Sequence, residues 1–215
     1  MLALATAVCA ALTILAAPWA LGLPWLAFVF KPATTLLIIL HASRRGHDMP
    51  VVRRWVLIGL ACSLAGDVAL LWPKEGFLPG LVSFLLAHLA YLVAFTRVQP
   101  LAALRLPFLV YAAVAGGILA LLWPGVPPAL RMPVVAYVVC LASMAAQAGV
   151  VWRAVPAAPG AVVLALGGAL FVCSDALLAT NRFALPLPLS SLWILATYWA
   201  AQWCIASWLR PRAAA

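Results

Sequence analysis

Proline, glycine and charged residues interrupt this 215-residue chain at intervals close to 20, and the stretches between them are almost wholly apolar. About 20 helical residues are what it takes to cross the hydrocarbon layer of a bilayer. Eight such stretches can be laid along the chain, over 2–18, 23–41, 55–72, 77–97, 102–123, 130–152, 160–180 and 188–209. The joints between them, among them "SRRGHDMPVVRR", "PKEG", "PGVPPALR" and "LPLP", are rich in turn formers. Inside a bilayer each backbone N–H and C=O must find its partner within the segment, which a helix provides. The spacing therefore predicts an all-α polytopic membrane helix bundle of eight transmembrane helices. It forms one integral membrane domain over 1–215, with no room for a soluble domain. A soluble alternative fails on composition: 68% of residues are hydrophobic and 8% charged, against about a quarter charged in ordinary soluble domains.

The net charge of +9 reads as loop asymmetry rather than as a nucleic-acid footprint, because cytoplasmic loops carry the excess of Lys and Arg. With eight spans, one face collects Arg44, Arg45, Arg53, Arg54, Arg97, Arg105, Arg153, Arg210 and Arg212, and the other only Lys74, Arg131 and Arg182. Both termini are thus predicted to be cytoplasmic, which requires an even number of spans. The amino-terminal segment lacks a basic n-region and reads as a retained first helix. Trp19, Trp25, Trp55, Trp72, Trp123, Trp152 and Trp208 fall near predicted helix ends, where an interfacial aromatic belt would place them. Cys9, Cys62, Cys140, Cys173 and Cys204 lie in apolar runs without a CxxC pair and read as buried small hydrophobes. Gly66, Gly116, Gly117, Gly167 and Gly168 read as points of close helix approach.

Against this background a few groups stand out. "SLAGDVALLW" (Ser63 to Trp72) and "FVCSDALLAT" (Phe171 to Thr180) each set an aspartate inside a span, and Lys31 lies inside span two. An ionisable group there costs some 2.5–3.5 kcal/mol on insertion scales, so it faces the bundle interior or a wet cavity and marks function by default. His88 and Tyr91, three residues apart on one helical face, join Lys31, Asp67 and Asp175. Tyr137, Tyr198 and Gln202 are further polar candidates. At 1.5 Å per residue, Asp67 and Asp175 each lie roughly 8 Å from the non-cytoplasmic end of their spans, Lys31 about 12 Å and His88 about 16 Å. A shared polar chamber opening to that side follows. Two carboxylates and one ammonium in a low-dielectric site are costly to ionise together, so one aspartate pairs with Lys31. The other is left protonated, as a general acid partnered by a base requires. Which is which stays open at this level.

Each group also has a structural use. A buried Asp–Lys pair can hold helices together; His88 alone fits a hydrogen-bonded interhelical residue; Tyr91, Tyr137 and Tyr198 fit packing. With His41 at a cytoplasmic end and His47 in a loop, a three-histidine metal site is geometrically disfavoured.

The ordered set "FKPATTLLII", "SLAGDVALL", "FLLAHLAYLVAF", "ALFVCSDALLA" and "YWAAQWCIA" resembles the YhhN-like family of eight-span membrane proteins, whose characterised animal members are lysoplasmalogenases. The likeness covers spans two to eight. The family pattern carries over to Lys31, Asp67, His88, Tyr91, Asp175 and Gln202 without departure. The resemblance implies hydrolysis of the sn-1 vinyl ether of a lysoplasmalogen to a fatty aldehyde and a glycerophospho-alcohol. Asp67 and Asp175 would be the catalytic pair, Lys31 would keep one of them ionised, and His88, Tyr91 and Gln202 would orient water or the glycerol hydroxyls. Neither metal nor cofactor is required, and the implied partners are a lysophospholipid substrate and the bilayer. Two other readings stand beside this one. Buried Asp, Lys and His also suit a small proton-coupled transporter or channel, and the paired aspartate motifs suit a parallel duplication of four spans. A lipid hydrolase acting on another ether or ester lysolipid would draw on Ser63 or Ser174. Short loops and Arg- and Ala-rich composition point to a bacterial inner membrane.

Overall fold

The computed structural model describes residues 1–72 and 74–211; Arg212, counted above among the basic residues of one face, lies outside the described residues. The described residues form eight α-helices: α1 (Leu2–Leu15), α2 (Pro24–Ser43), α3 (Pro50–Ala69), α4 (Phe77–Thr96), α5 (Arg105–Leu122), α6 (Arg131–Ala154), α7 (Ala161–Phe183) and α8 (Ser190–Trp208). Two single 3₁₀ turns, Trp123–Gly125 and Pro128–Leu130, join α5 to α6. Five segments are long and apolar enough to cross a membrane, Pro24–Ser43, Phe77–Thr96, Arg105–Gly125, Pro128–Ala154 and Ala161–Phe183. Helix α1 has 14 residues; α3 and α8 are long enough but carry Arg53, Arg54 and Asp67 in one case and Tyr198 and Gln202 in the other.

Boundaries shift most at α3, which begins at Pro50 rather than at 55. Proline at a first helical position loses no hydrogen bond and has its φ already set. Arg53 and Arg54, read from sequence as loop, are therefore helical, and Arg53 Nη2 donates to the Ser43 carbonyl at 2.6 Å. At the other end α3 stops at Ala69 while α7 runs on to Phe183. Counted from these ends at 1.5 Å per residue, Asp67 is about 3 Å in and Asp175 about 12 Å, so the equal depths expected from the sequence are corrected.

Helix packing follows a closed order. Six helices, α2, α3, α4, α6, α7 and α8, each contact the next, and α8 returns to α2. Outside this ring α1 rests on α2 and α8, and α5 rests on α6 and α7. The ring order maps onto itself when α2, α3 and α4 are exchanged for α6, α7 and α8, although the peripheral helices do not follow, since α1 rests on α2 and α8 but α5 on α6 and α7. Asp67 and Asp175 lie on α3 and α7, two helices that this exchange relates, though at different distances from their ends. The peripheral α5 buries only Pro107 and Leu122, and Leu106, Leu109 and Leu121 point outward, an apolar exterior suited to lipid rather than water.

Lys74, Arg131 and Arg182 lie at one end, and most of the described basic residues gather at the other. There Gly46 N donates to the Arg210 carbonyl at 2.8 Å, and Arg45 Nη1 donates to the Ser207 and Leu209 carbonyls at the carboxyl end of α8; a cation there also favours the helix dipole. At the opposite end Trp19 Nε1 donates to Ser191 Oγ at 2.8 Å, and Phe77 packs edge-on against Phe183.

Three sequence readings need correction. Trp208 is buried, edge-on to Phe95, and belongs to the core rather than to an aromatic belt. Cys173 is exposed, and of the five free thiols only Cys140 is fully buried. Gly116 and Gly117 face open space, whereas Gly168 sits against Ala145 and Gly66 against the ring of Phe84. A Cβ at Gly66 would come within 2.6 Å of that ring. Gly66→Ala should therefore cost about 1–3 kcal/mol, the usual range for overpacking, read as an earlier thermal transition in detergent. It should also lower activity, because Phe84 packs edge-on against Tyr198, which adjoins Asp67.

Candidate active site

Three helices converge on Asp67. Near the end of α3, the Asp67 side chain is 1% exposed. Lys31 Nζ, on α2, stands 3.7 Å from its Oδ1 and donates to its backbone carbonyl at 3.2 Å. Thr35, one turn after Lys31 and so on the same face of α2, donates to Oδ2 at 2.6 Å, and Tyr198 of α8 donates to the same oxygen at 2.9 Å. A second tier holds these donors: Gln202 Nε2 donates to the Tyr198 hydroxyl at 2.7 Å, and Trp199 Nε1 donates to Thr35 Oγ1 at 3.3 Å. Charge-assisted bonds of this kind are the strong ones. The outcome is an aspartate fixed in place, with one oxygen saturated by hydroxyls and the other facing only the ammonium.

Asp175 has a simpler setting. It is half-buried on α7, and its Oδ2 accepts a hydrogen bond from the hydroxyl of Tyr137 on α6. Among the described residues the Lys31–Asp67 contact is the only ion pair, so no cation is paired with Asp175. The ring symmetry sharpens the comparison, since α2 and α6 are equivalent: where one half presents Lys31 to its aspartate, the other presents Tyr137.

Both carboxylates line one cavity of about 580 Å³, walled also by Lys31, Phe84, Tyr198 and Arg182. Its outer edge is polar, with Asn181, Ser190 and Ser191. A second, apolar cavity runs between α4, α5, α6 and α7 and reaches Asp175 and Tyr137 from the other side. The structure thus brings together Lys31, Asp67, Asp175, Tyr198 and, through Asp175, Tyr137.

The remaining candidates stand behind these walls. Gln202 is buried and touches Tyr198. Tyr91 is buried with its hydroxyl 3.5 Å from Ser63 Oγ. His88 is 1% exposed, edge-on to Tyr137 and Phe171, and neither ring nitrogen has a hydrogen-bond partner. The bonded interhelical histidine expected from sequence is not what the structure holds. None of the three lines either cavity. Ser174 Oγ is committed to the Ile194 carbonyl at 3.0 Å, and Ser63 is buried.

Sequence reasoning missed Thr35, Trp199, Asn181 and Arg182. Thr35 had a usable signal, its i+4 spacing from Lys31. The others are ordinary for helix ends and aromatic-rich spans, and only the packing assigns them a place. Removing the Tyr198 hydroxyl tests the tiers: Tyr198→Phe should cost about 1–3 kcal/mol, the range for losing a bond to a buried charged group. Thermal unfolding in detergent reads this, with a parallel drop in turnover.

The YhhN family model matches residues 26–209. Among similar proteins, "Lysoplasmalogenase TMEM86B" of Sus scrofa is 37% identical over 182 residues, covering 83% of this chain and 73% of that one. "Lysoplasmalogenase TMEM86A" of Homo sapiens is 36% identical over 159 residues, covering 70% of this chain and 63% of that one. "Lysoplasmalogenase" of Mycobacterium tuberculosis (strain CDC 1551 / Oshkosh) is 31% identical over 166 residues, covering 73% and 61%. No solved structure matches the chain.

Proposed function

The chain belongs to the YhhN family and is a lysoplasmalogenase-like membrane hydrolase; on that premise we propose that Asp175 delivers the proton and Asp67 holds the balancing negative charge in cleaving the sn-1 vinyl ether of a lysoplasmalogen. The observation that carries this reading is the unequal dressing of two carboxylates on one cavity wall. Asp67 faces an ammonium and two hydroxyl donors, groups that favour its ionised form. Asp175 has a single hydroxyl donor and no paired cation, so of the two it has the fewer groups to hold a negative charge.

The chemistry follows. Asp175 transfers its proton to the outer alkene carbon, and the ether oxygen lone pair relieves the adjacent carbon as an oxocarbenium ion. Asp67 stabilises that cation as in glycoside hydrolysis, and its Oδ1 accepts the proton of the water that attacks. The resulting hemiacetal collapses as its bond to the glycerol oxygen breaks: Asp67 gives that oxygen the proton it took from water, and the hemiacetal hydroxyl gives its proton to the Asp175 carboxylate as the aldehyde C=O forms. Aldehyde and alcohol leave, and no net proton is gained or lost. Lys31 and Tyr198 hold Asp67 in position, and Gln202 acts through Tyr198. Tyr137 positions Asp175, and the histidine and Tyr91 support the wall behind it.

The architecture that fits this function has eight spans. Helices α1, α3 and α8 complete the bundle formed with the five apolar segments, the basic end and both termini face the cytoplasm, and the host membrane is a bacterial inner membrane. Purified protein in lipid vesicles, given a 1-alkenyl lysophospholipid, should release fatty aldehyde without any ion gradient. Release of the intact substrate to the far side with no aldehyde formed would sink the assignment in favour of transport. Hydrolysis of an acyl lysolipid in preference to the alkenyl one would move it to an esterase.

A further inference from the structure

Two cavities share one wall, one of them almost wholly apolar and the other holding the charged pair. Resting on the hydrolase reading above, we propose that the apolar cavity between α4, α5, α6 and α7 receives the hydrocarbon chain of the lysolipid, and that Arg182 at the junction of the two cavities binds its phosphate. The apolar cavity is walled by side chains such as Leu119, Val134, Val138 and Leu141, and its only polar groups are Tyr137, Asp175 and Arg182. The other carries Lys31, Asp67 and an edge with Ser190 and Ser191, set in an otherwise largely apolar wall. Leu70, Phe77, Phe84, Asp175, Leu178 and Arg182 line both. A vinyl ether is the point at which a lysolipid turns from hydrocarbon to glycerol, so a substrate spanning the junction sets that linkage beside Asp175.

Length supports the same placement. Arg182 lies seven residues after Asp175 on α7, two turns or about 10 Å nearer the helix end. The glycerol backbone and the arginine side chain together bridge such a gap. Arg182 is exposed, and its guanidinium lies 4.9 Å from the centre of the Phe77 ring. Stacking on an aromatic leaves the edge of the guanidinium, with its forked N–H donors, available for phosphate. Among the described residues Arg182 forms no ion pair. Along α5 the apolar cavity reaches from Leu122 back to Ala115, about 10 Å of helix. It therefore holds the portion of a chain nearest the linkage, with the remainder passing beside the loosely packed α5 into lipid.

Binding of stable 1-O-alkyl lysolipids, which resemble the substrate but carry no vinyl ether, tests this separately from catalysis. Ala115→Phe, on the peripheral helix, should lower the ratio of long-chain to short-chain affinity by tenfold or more. Arg182→Gln should lower the ratio of affinity for the phosphate-bearing lysolipid over the matching 1-O-alkylglycerol by about tenfold, and Arg182→Lys should restore part of it. Ratios that stay at the wild-type values in both variants overturn the proposal. Aldehyde release from alkenyl lysolipids is measured on the same preparations: its absence from the wild type refutes the hydrolase reading, while the binding ratios still decide where chain and phosphate lie.

Discussion

Asp175→Asn should reduce aldehyde release by roughly 10²–10⁴-fold, the usual contribution of a positioned general acid, with little change in stability. Asparagine keeps the shape and still accepts from the Tyr137 hydroxyl, so what disappears is the transferable proton. Because the proton goes to carbon, hydrolysis in heavy water should leave one deuterium at the carbon next to the aldehyde, and mass spectrometry of the product reads it directly. An ester or amide cleavage would leave no label on the chain. Asp67→Asn should also slow turnover by an amount in the same range, but for another reason: the oxocarbenium ion then forms with no fixed negative charge beside it. Full activity in either variant would refute the two-carboxylate mechanism.

Much of the helix framework was legible because the bilayer imposes one length on every span and forbids unsatisfied backbone within it. Turn-forming joints then located each helix to within a few residues, the largest departure being Pro50, which started α3 five residues early. Lys31, Asp67 and Asp175 announced themselves because a charge among apolar residues has no bland place to go. What the sequence withheld was pairing. Nothing in the spacing of "SLAGD" and "VCSD" says that Asp67 takes the ammonium and Asp175 a phenol; that follows from α2 packing on α3 and α6 on α7. The same limit explains His88 and Tyr91, whose residue types suggested contact with water but whose faces turn toward Phe171 and Ser63. A helical face can be read from i, i+3 and i+4 spacing, yet which neighbour fills it depends on the ring order, which is a property of the whole bundle.

Lys31 separates stability from chemistry. Its side chain is 10% exposed and that of Asp67 1%, so Lys31→Met leaves an uncompensated buried carboxylate, a change that typically costs about 3–5 kcal/mol. The single variant should therefore unfold at markedly lower temperature in detergent and lose most turnover. Adding Asp67→Asn removes the stranded charge while keeping an acceptor for Thr35 and Tyr198. The double variant Lys31→Met with Asp67→Asn should regain most of the lost stability, because a neutral pair of similar volume is often as stable as the buried ion pair it replaces. It should not regain turnover, because neither change restores the negative charge beside the reacting carbon. Recovery of both properties would mean that the pair only holds α2 to α3. If neither returns, the cost of Lys31→Met came from lost packing and lost bonds of the lysine rather than from the unpaired charge of Asp67.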